Sequence, residues 1–274
     1  MATVVFLHAH PDDEALATGG TMARMADEGH RVVLVVATRG EEGEPVPGVL
    51  ADGEDLADRR TAEVHAAAGI LGVHRVDFLG YRDSGMADDP ANHHPDCFWR
   101  ADVVLAAERL EDLLVDEEPD LLVVYDPFGG YGHPDHIQVH RVGRRWASDV
   151  GGVRVRWVTM NRDAIRVSID QAADDLAAGG VEWADAEMLE VRRQRTQTAS
   201  FGMPDDEITH AVDVSTVIGR KREAIRAHAS QVATDSFFLA MPDEAFAATF
   251  GTEWFVDPGR PRFGQAQRTD LLLA

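Results

Sequence analysis

Five short apolar runs, at residues 4–8, 32–37, 76–79, 121–125 and 153–158, alternate with longer stretches that carry helical periodicity. Runs this short suit strands buried on both faces, because helices need about 10–12 residues or more. Residues 56–71 are alanine-rich and helical in pattern, and Gly72 stands where such a helix stops. In the next stretch Val103, Ala106, Ala107, Leu110, Leu113 and Leu114 recur at helical spacing before Pro119 ends the pattern. Strands alternating with helices predict an α/β fold: a Rossmann-like, doubly wound, mostly parallel sheet of order about 3-2-1-4-5.

Beyond residue 160 the pattern loosens. A polar helix is expected around residues 186–196, and a later one puts Ile218, Lys221, Ile225 and His228 on one face. Short extended pieces follow. With no solenoid repeat and no low-complexity linker, the expectation is one domain over residues 1–274. Its core would be residues 1–160, with a less regular α+β portion at 161–274 completing the cleft.

Charge excludes several partner classes. Against 26 Lys and Arg stand 48 Asp and Glu, a formal net charge of -22. Nucleic-acid binding needs clustered cations, and so does attachment to an anionic membrane surface. A small-molecule partner remains, and a homo-oligomer is compatible with the composition. Cys97 is the single cysteine, so neither a disulfide framework nor a cysteine-based zinc site is available. The first residues lack the basic stretch of a signal peptide, and no apolar run approaches the ~20 residues of a membrane helix. The expected compartment is the cytoplasm.

Two polar segments interrupt this pattern at places that matter. His10-Pro11-Asp12-Asp13-Glu14 follows the first strand, and His133-Pro134-Asp135-His136 follows the fourth. Each is read as the start of a helix, with proline in the first turn and a second potential ligand three residues after the histidine. In a 3-2-1-4-5 sheet, strands one and four are neighbours at the reversal point, where ligands bind at the strands' carboxyl ends. The two segments should therefore meet. Catalytic zinc takes three protein ligands and keeps one position open. His10, Asp13 and His136 could supply that set, leaving Asp12 as a base and His133 as a donor to a developing oxyanion. Asp135 would orient His133. Iron(II) would also suit such a site. His8, on the same strand face as His10, is a ligand candidate by chemistry alone. A third copy, His94-Pro95-Asp96, lacks a preceding strand and reads as loop.

The same residues carry a family likeness. AHPDDE after strand one, with YDPFGGYGHPDH after strand four, resembles the PIG-L/LmbE-like zinc N-deacetylases, nearest to their actinobacterial mycothiol-pathway deacetylase and amidase branch. The likeness runs from about Val4 to His140 and thins beyond, to the helix leading into Ala227-His228-Ala229-Ser230-Gln231. It implies one zinc per chain on His10, Asp13 and His136, Asp12 as general base, and His133 as electrostatic stabiliser assisted by Asp135. Tyr131 becomes a mobile donor to the intermediate, and His8 a neighbour of the site. Arg60 resembles the arginine that grips the sugar, and Asp83 an aspartate that holds sugar hydroxyls. Read without the likeness, Arg60 is a helix-surface arginine paired with Glu63, and Asp83 a turn former.

The implied reaction is removal of an N-acetyl or short acyl group from a GlcNAc-type amino sugar by metal-activated water. A close alternative is amide cleavage of a mycothiol-type thiol conjugate. The loop at residues 93–99 departs from both mycothiol enzymes and should line the outer pocket, where the aglycone is read. A nucleotide-binding protein on the same sheet is disfavoured, because strand one leads into HPDDE and not into a G-x-G-x-x-G loop. A catalytically silent sugar-binding protein is the remaining alternative; every presumed catalytic position holds a competent residue.

Overall fold

A computed structural model describes residues 1–179, 185–260, 262 and 264–272. Its sheet has seven strands in the order β3-β2-β1-β4-β5-β7-β6. The first five, β1 (Thr3–His8), β2 (Arg31–Val36), β3 (Arg75–Phe78), β4 (Leu121–Tyr125) and β5 (Arg154–Thr159), are parallel and stand in the expected 3-2-1-4-5 order. The central strands are apolar because both faces are covered: Val4 to Leu7 and Leu121 to Val124 are fully buried.

Two helix layers provide the cover. On one, α1 (Gly19–Asp27), α2 (Leu56–Leu71) and α8 (Ile218–Ala227) pack together; in the other, α3 (Val103–Leu113) lies on α5 (Pro134–Val150). Aspartates cap the starts of α2 and α3. Asp55 accepts from the Asp58 amide at the head of α2, and Asp102 accepts from Val104 and Leu105 at the head of α3. A short turn, α4 (Gly129–Gly132), precedes α5.

The C-terminal portion continues the same sheet. β7 (Thr252–Val256) pairs antiparallel with β5, and β6 (His210–Asp213) antiparallel with β7. Helices α6 (Arg162–Ala177) and α7 (Ala186–Arg195) pack on each other over a small core of Ile169, Ala172 and Leu189. Two further short helices, α9 (Phe237–Ala240) and α10 (Asp243–Phe250), lead into β7. The face shared by Lys221 and Ile225 is explained by a buried ion pair: Lys221 Nζ lies 2.6 Å from Glu253 Oε1 on β7. The same carboxylate accepts the Gly20 and Thr21 amides in the first turn of α1. Gly20 must be glycine, because a Cβ there would stand 2.4 Å from Val214 Cβ. No described helix is long and apolar enough to cross a membrane.

One local expectation fails. Pro134 occupies the first turn of α5, with His133 as its N-cap, but Pro11 is not in a helix. Asp12 has φ +109°, in the left-handed region, which prevents a regular helix from starting at Pro11. The chain instead enters a π-helical turn at Glu14–Thr18, then α1.

Candidate active site

Pairing of β1 with β4, in register at Phe6 and Val123, brings the two His-Pro-Asp segments side by side. Asp126 shapes the second segment's approach. Its Oδ1 accepts the Phe128 and Gly130 amides, and its Oδ2 accepts the Thr159 hydroxyl at 2.6 Å. Gly129 has φ +66°, and a Cβ there would lie 2.7 Å from His136 Cβ. Glycine alone lets this loop pass so close that the Gly129 carbonyl accepts from His136 Nδ1 at 3.1 Å.

The ring nitrogens then have defined roles. With Nδ1 of His136 donating to Gly129, its Nε2 carries a lone pair and faces Asp13 Oδ2 at 3.3 Å. His10 Nε2 donates to Asp135 Oδ2 at 3.2 Å, so its Nδ1 faces the same Asp13 oxygen, also at 3.3 Å. With both imidazoles neutral, as metal ligands are, two ring nitrogens and the Asp13 oxygen, which also accepts the His10 amide at 2.9 Å, present lone pairs to one point. Donor atoms of a tetrahedral site with metal–ligand lengths of about 2.0–2.1 Å stand about 3.3 Å apart. The two edges from Asp13 Oδ2 to His10 Nδ1 and His136 Nε2 have that length, so a divalent metal would find donors in His10, Asp13 and His136.

Among the described residues, two groups have all their donor atoms within 4.8 Å of one another, and neither includes Asp13: His10 with His133 and His136, and His10 with Asp83 and Asp135. In the second, the Asp135 carboxylate is already engaged by the Ser84 amide at 3.0 Å and the Ser84 hydroxyl, which suits a support for His10. In the first, His133 Nδ1 accepts the Asp135 amide at 3.1 Å, which leaves a proton on Nε2 and makes His133 a donor. His133 is neutral across physiological pH. Burial, with His10 and His136 alongside, takes its pKa down to about 3.

Burial penalises every charge here, and neighbours decide the outcome. At His10 burial disfavours the imidazolium, yet Asp83, Asp13 and Asp135 outweigh it and lift the pKa well above 6.5. Burial likewise opposes ionisation of Asp13, but His136 and His10 hold its carboxyl well below the usual range. Asp12 differs: burial raises it to about 6, against the pull of Arg60.

The remaining predicted residues fall into place unevenly. Tyr131 lies on the solvent side, its hydroxyl 3.5 Å from His136 Nε2. His8 points away, between the Tyr125 hydroxyl at 2.9 Å and Thr18 Oγ1 at 2.8 Å, and is excluded from the cluster. Arg60 is neither a surface residue nor a partner of Glu63. It is 3% exposed and spends its donors on the Gly40 and Pro11 carbonyls and on Asp12 Oδ2, at 3.2 Å. Asp83 sits beside His10, with Oδ1 3.4 Å from Nε2 and also accepting the Gly85 amide. Asp135 has a different partner from the expected one: its carboxylate supports His10, and only its amide touches His133. Sequence reasoning missed Ser84, Glu14 and the role of His228.

An outer cleft of about 490 Å³ opens nearby, lined by Arg39, Glu41, Arg82, His94, Asp96 and Arg109, among others. The loop at residues 93–99 contributes to it. Arg82 and Glu41 connect it to the site, since the Asp83 amide donates to Glu41 Oε2 at 3.0 Å.

A doubly wound sheet that gathers two imidazoles and a carboxylate beside a half-buried carboxylate with raised pKa defines a metallohydrolase-type site. The family described as PIG-L: GlcNAc-PI de-N-acetylase matches residues 5–147, and the chain belongs to that family. It is 40% identical over 268 residues to the 1D-myo-inositol 2-acetamido-2-deoxy-alpha-D-glucopyranoside deacetylase of Acidothermus cellulolyticus, covering 93% of this chain and 88% of that one. Among solved structures, the N,N'-diacetylchitobiose deacetylase of Pyrococcus horikoshii superposes with a TM-score of 0.55 at 20% identity, covering 89% and 73%. The 4-carboxy-2-hydroxymuconate hydratase of Pseudomonas putida does so at 0.58 and 19% identity, covering 100% of both chains. A sheet shared by a deacetylase and a hydratase leaves the function to be argued from the site.

Proposed function

We propose that the protein is a zinc-dependent N-deacetylase that releases acetate from N-acetylglucosaminyl glycosides, with the inositol glycoside as the first candidate substrate. The observation that carries the reading is the convergence of His10, Asp13 and His136, with one carboxylate oxygen 3.3 Å from each imidazole. The name of a relative that aligns with 93% of this chain supports the substrate class.

When bound, zinc supplies Lewis-acid polarisation of the amide carbonyl and acidifies water. Asp12 takes the proton of the attacking water and returns one to the leaving amine; a carboxyl raised to about 6 is suited to both tasks. His133, whose Nε2 carries the proton, donates to the oxygen on which negative charge develops. Tyr131, on the solvent side, adds a second donor when substrate is present. Asp83 and the outer cleft hold the sugar and its aglycone.

The test is metal content together with acetate release from N-acetylglucosamine, its inositol glycoside and a mycothiol conjugate. About one zinc per chain, with acetate from the inositol glycoside fastest, is the expected result. Cleavage of the conjugate alone would make the protein an amidase. A metal-loaded protein releasing nothing from any amino sugar would overturn the reading.

A further inference from the structure

Asp12 holds a backbone conformation that residues with a Cβ rarely adopt, and such a conformation persists only where its surroundings over-determine it. The constraint is visible. Glu14 Oε2 accepts the Asp12 amide at 2.9 Å, and the other oxygen of the same carboxylate lies 2.6 Å from His228 Nε2. Both side chains are fully buried. The contact to Glu14 is the one hydrogen bond that the His228 ring makes among the described residues, because its Nδ1 has no partner.

His228 reaches this position because α8 packs on α2 and against the Glu14 turn. Two residues on, the Ser230 amide and hydroxyl donate to Glu63 of α2. That helix also carries Arg60, which contacts the Asp12 carboxylate. The base is therefore held from two sides, at its main chain by Glu14 and at its side chain by Arg60. A buried carboxylate–imidazole pair is weak evidence of a stabilising role, since an apolar pair of like volume often serves stability as well. This pair ends on the amide of the proposed base.

We infer that Glu14 and His228 are positioning residues for Asp12: His228 orients the Glu14 carboxylate, and Glu14 fixes the left-handed turn from which the Asp12 side chain departs. The inference rests on Asp12 acting as the base in deacetylation. Ligand donation is not part of it, so metal content should be indifferent to the pair.

The test compares His228→Met and His228→Gln in the zinc-loaded enzyme, each with and without Asp12→Ala. Methionine keeps the volume and loses the hydrogen bond; glutamine can restore a donor to Glu14. With Asp12 present, H228M should lower kcat about 10- to 100-fold, with KM and metal content little changed, and H228Q should recover most of the loss. In the Asp12→Ala background H228M should cost nothing further, because the group it positions is gone. Unchanged kcat in H228M, or an equal loss in both backgrounds, would overturn the inference. Should H228M not fold, Glu14→Asp draws the carboxylate off the Asp12 amide and is held to the same two comparisons. If Asp12→Ala alone left turnover intact, the reading of Asp12 as base would fail, a result distinct from failure at His228.

Discussion

Asp135 and His10, 125 residues apart in the chain, meet at 3.2 Å, so the second His-Pro-Asp segment orients the imidazole of the first. The carboxylate fixes the His10 proton on Nε2 and turns Nδ1 toward Asp13. Supports of this kind are typically worth about 10- to 100-fold in metal affinity. Asp135→Ala should therefore weaken zinc binding by that factor in competition with a chelator. Unchanged affinity would mean that His10 is oriented without it.

Asp12 and Asp13 are adjacent, yet their substitution should have opposite signatures. Asp12→Ala is expected to lower turnover by ~10²–10⁴-fold with zinc still bound. Asp13→Ala removes the oxygen shared by both imidazoles and should release the metal. Metal analysis of the two purified variants beside acetate release separates the roles; equal metal loss in both would make Asp12 a ligand.

His133 sits close enough to His10 and His136 to be read as a third imidazole ligand. Its hydrogen bond from the Asp135 amide argues for a donor instead. On that argument His133→Ala keeps its zinc and loses ~10²–10³-fold in kcat, as expected for an oxyanion donor. A metal-free H133A protein would reverse the assignment.

The Lys221–Glu253 pair ties α8, β7 and the first turn of α1, and both side chains are 2% exposed. Removing one partner strands a buried charge, at a cost of about 3–5 kcal/mol. Lys221→Met should therefore lower the denaturant midpoint sharply. Lys221→Met with Glu253→Gln should recover part of the loss, and a single variant as stable as wild type would refute the account.

Legibility of these features in the sequence followed the range of the forces involved. The parallel core was readable because buried strands such as residues 121–125 are continuous apolar runs, and the meeting of the two His-Pro-Asp segments because strand order places β1 beside β4. The antiparallel β6 and β7 were visible only as short extended pieces, since their pairing depends on partners distant in sequence. The burial of Arg60 has the same origin: its three contacts lie in the Pro11–Asp12 and Gly40 loops, not on its own helix. The Glu14–His228 contact spans 214 residues, and no local pattern announces it. The φ of +109° at Asp12 departs from the helix start that a proline in the first turn predicts, and the Glu14 carboxylate that accepts its amide is itself held by His228.

His140 offers a pH-dependent test outside the metal cluster. It is buried on α5, its Nδ1 2.9 Å from the Tyr125 carbonyl and its ring edge-on to Trp157. Burial, aided by Arg144 and Arg141, lowers its pKa despite that hydrogen bond. A histidine kept neutral in the fold binds fewer protons than in the unfolded chain below about pH 6.5, so protonation favours unfolding. The stability that His140 contributes is complete above that pH and declines as the pH falls toward its lower folded value. His140→Phe removes the titration and keeps an aromatic ring against Trp157. The gap in unfolding free energy between wild type and H140F should thus shift against wild type between about pH 7 and pH 5, with all other titrating groups common to both. A gap that stays constant over that range would show that His140 titrates alike in the folded and unfolded chain.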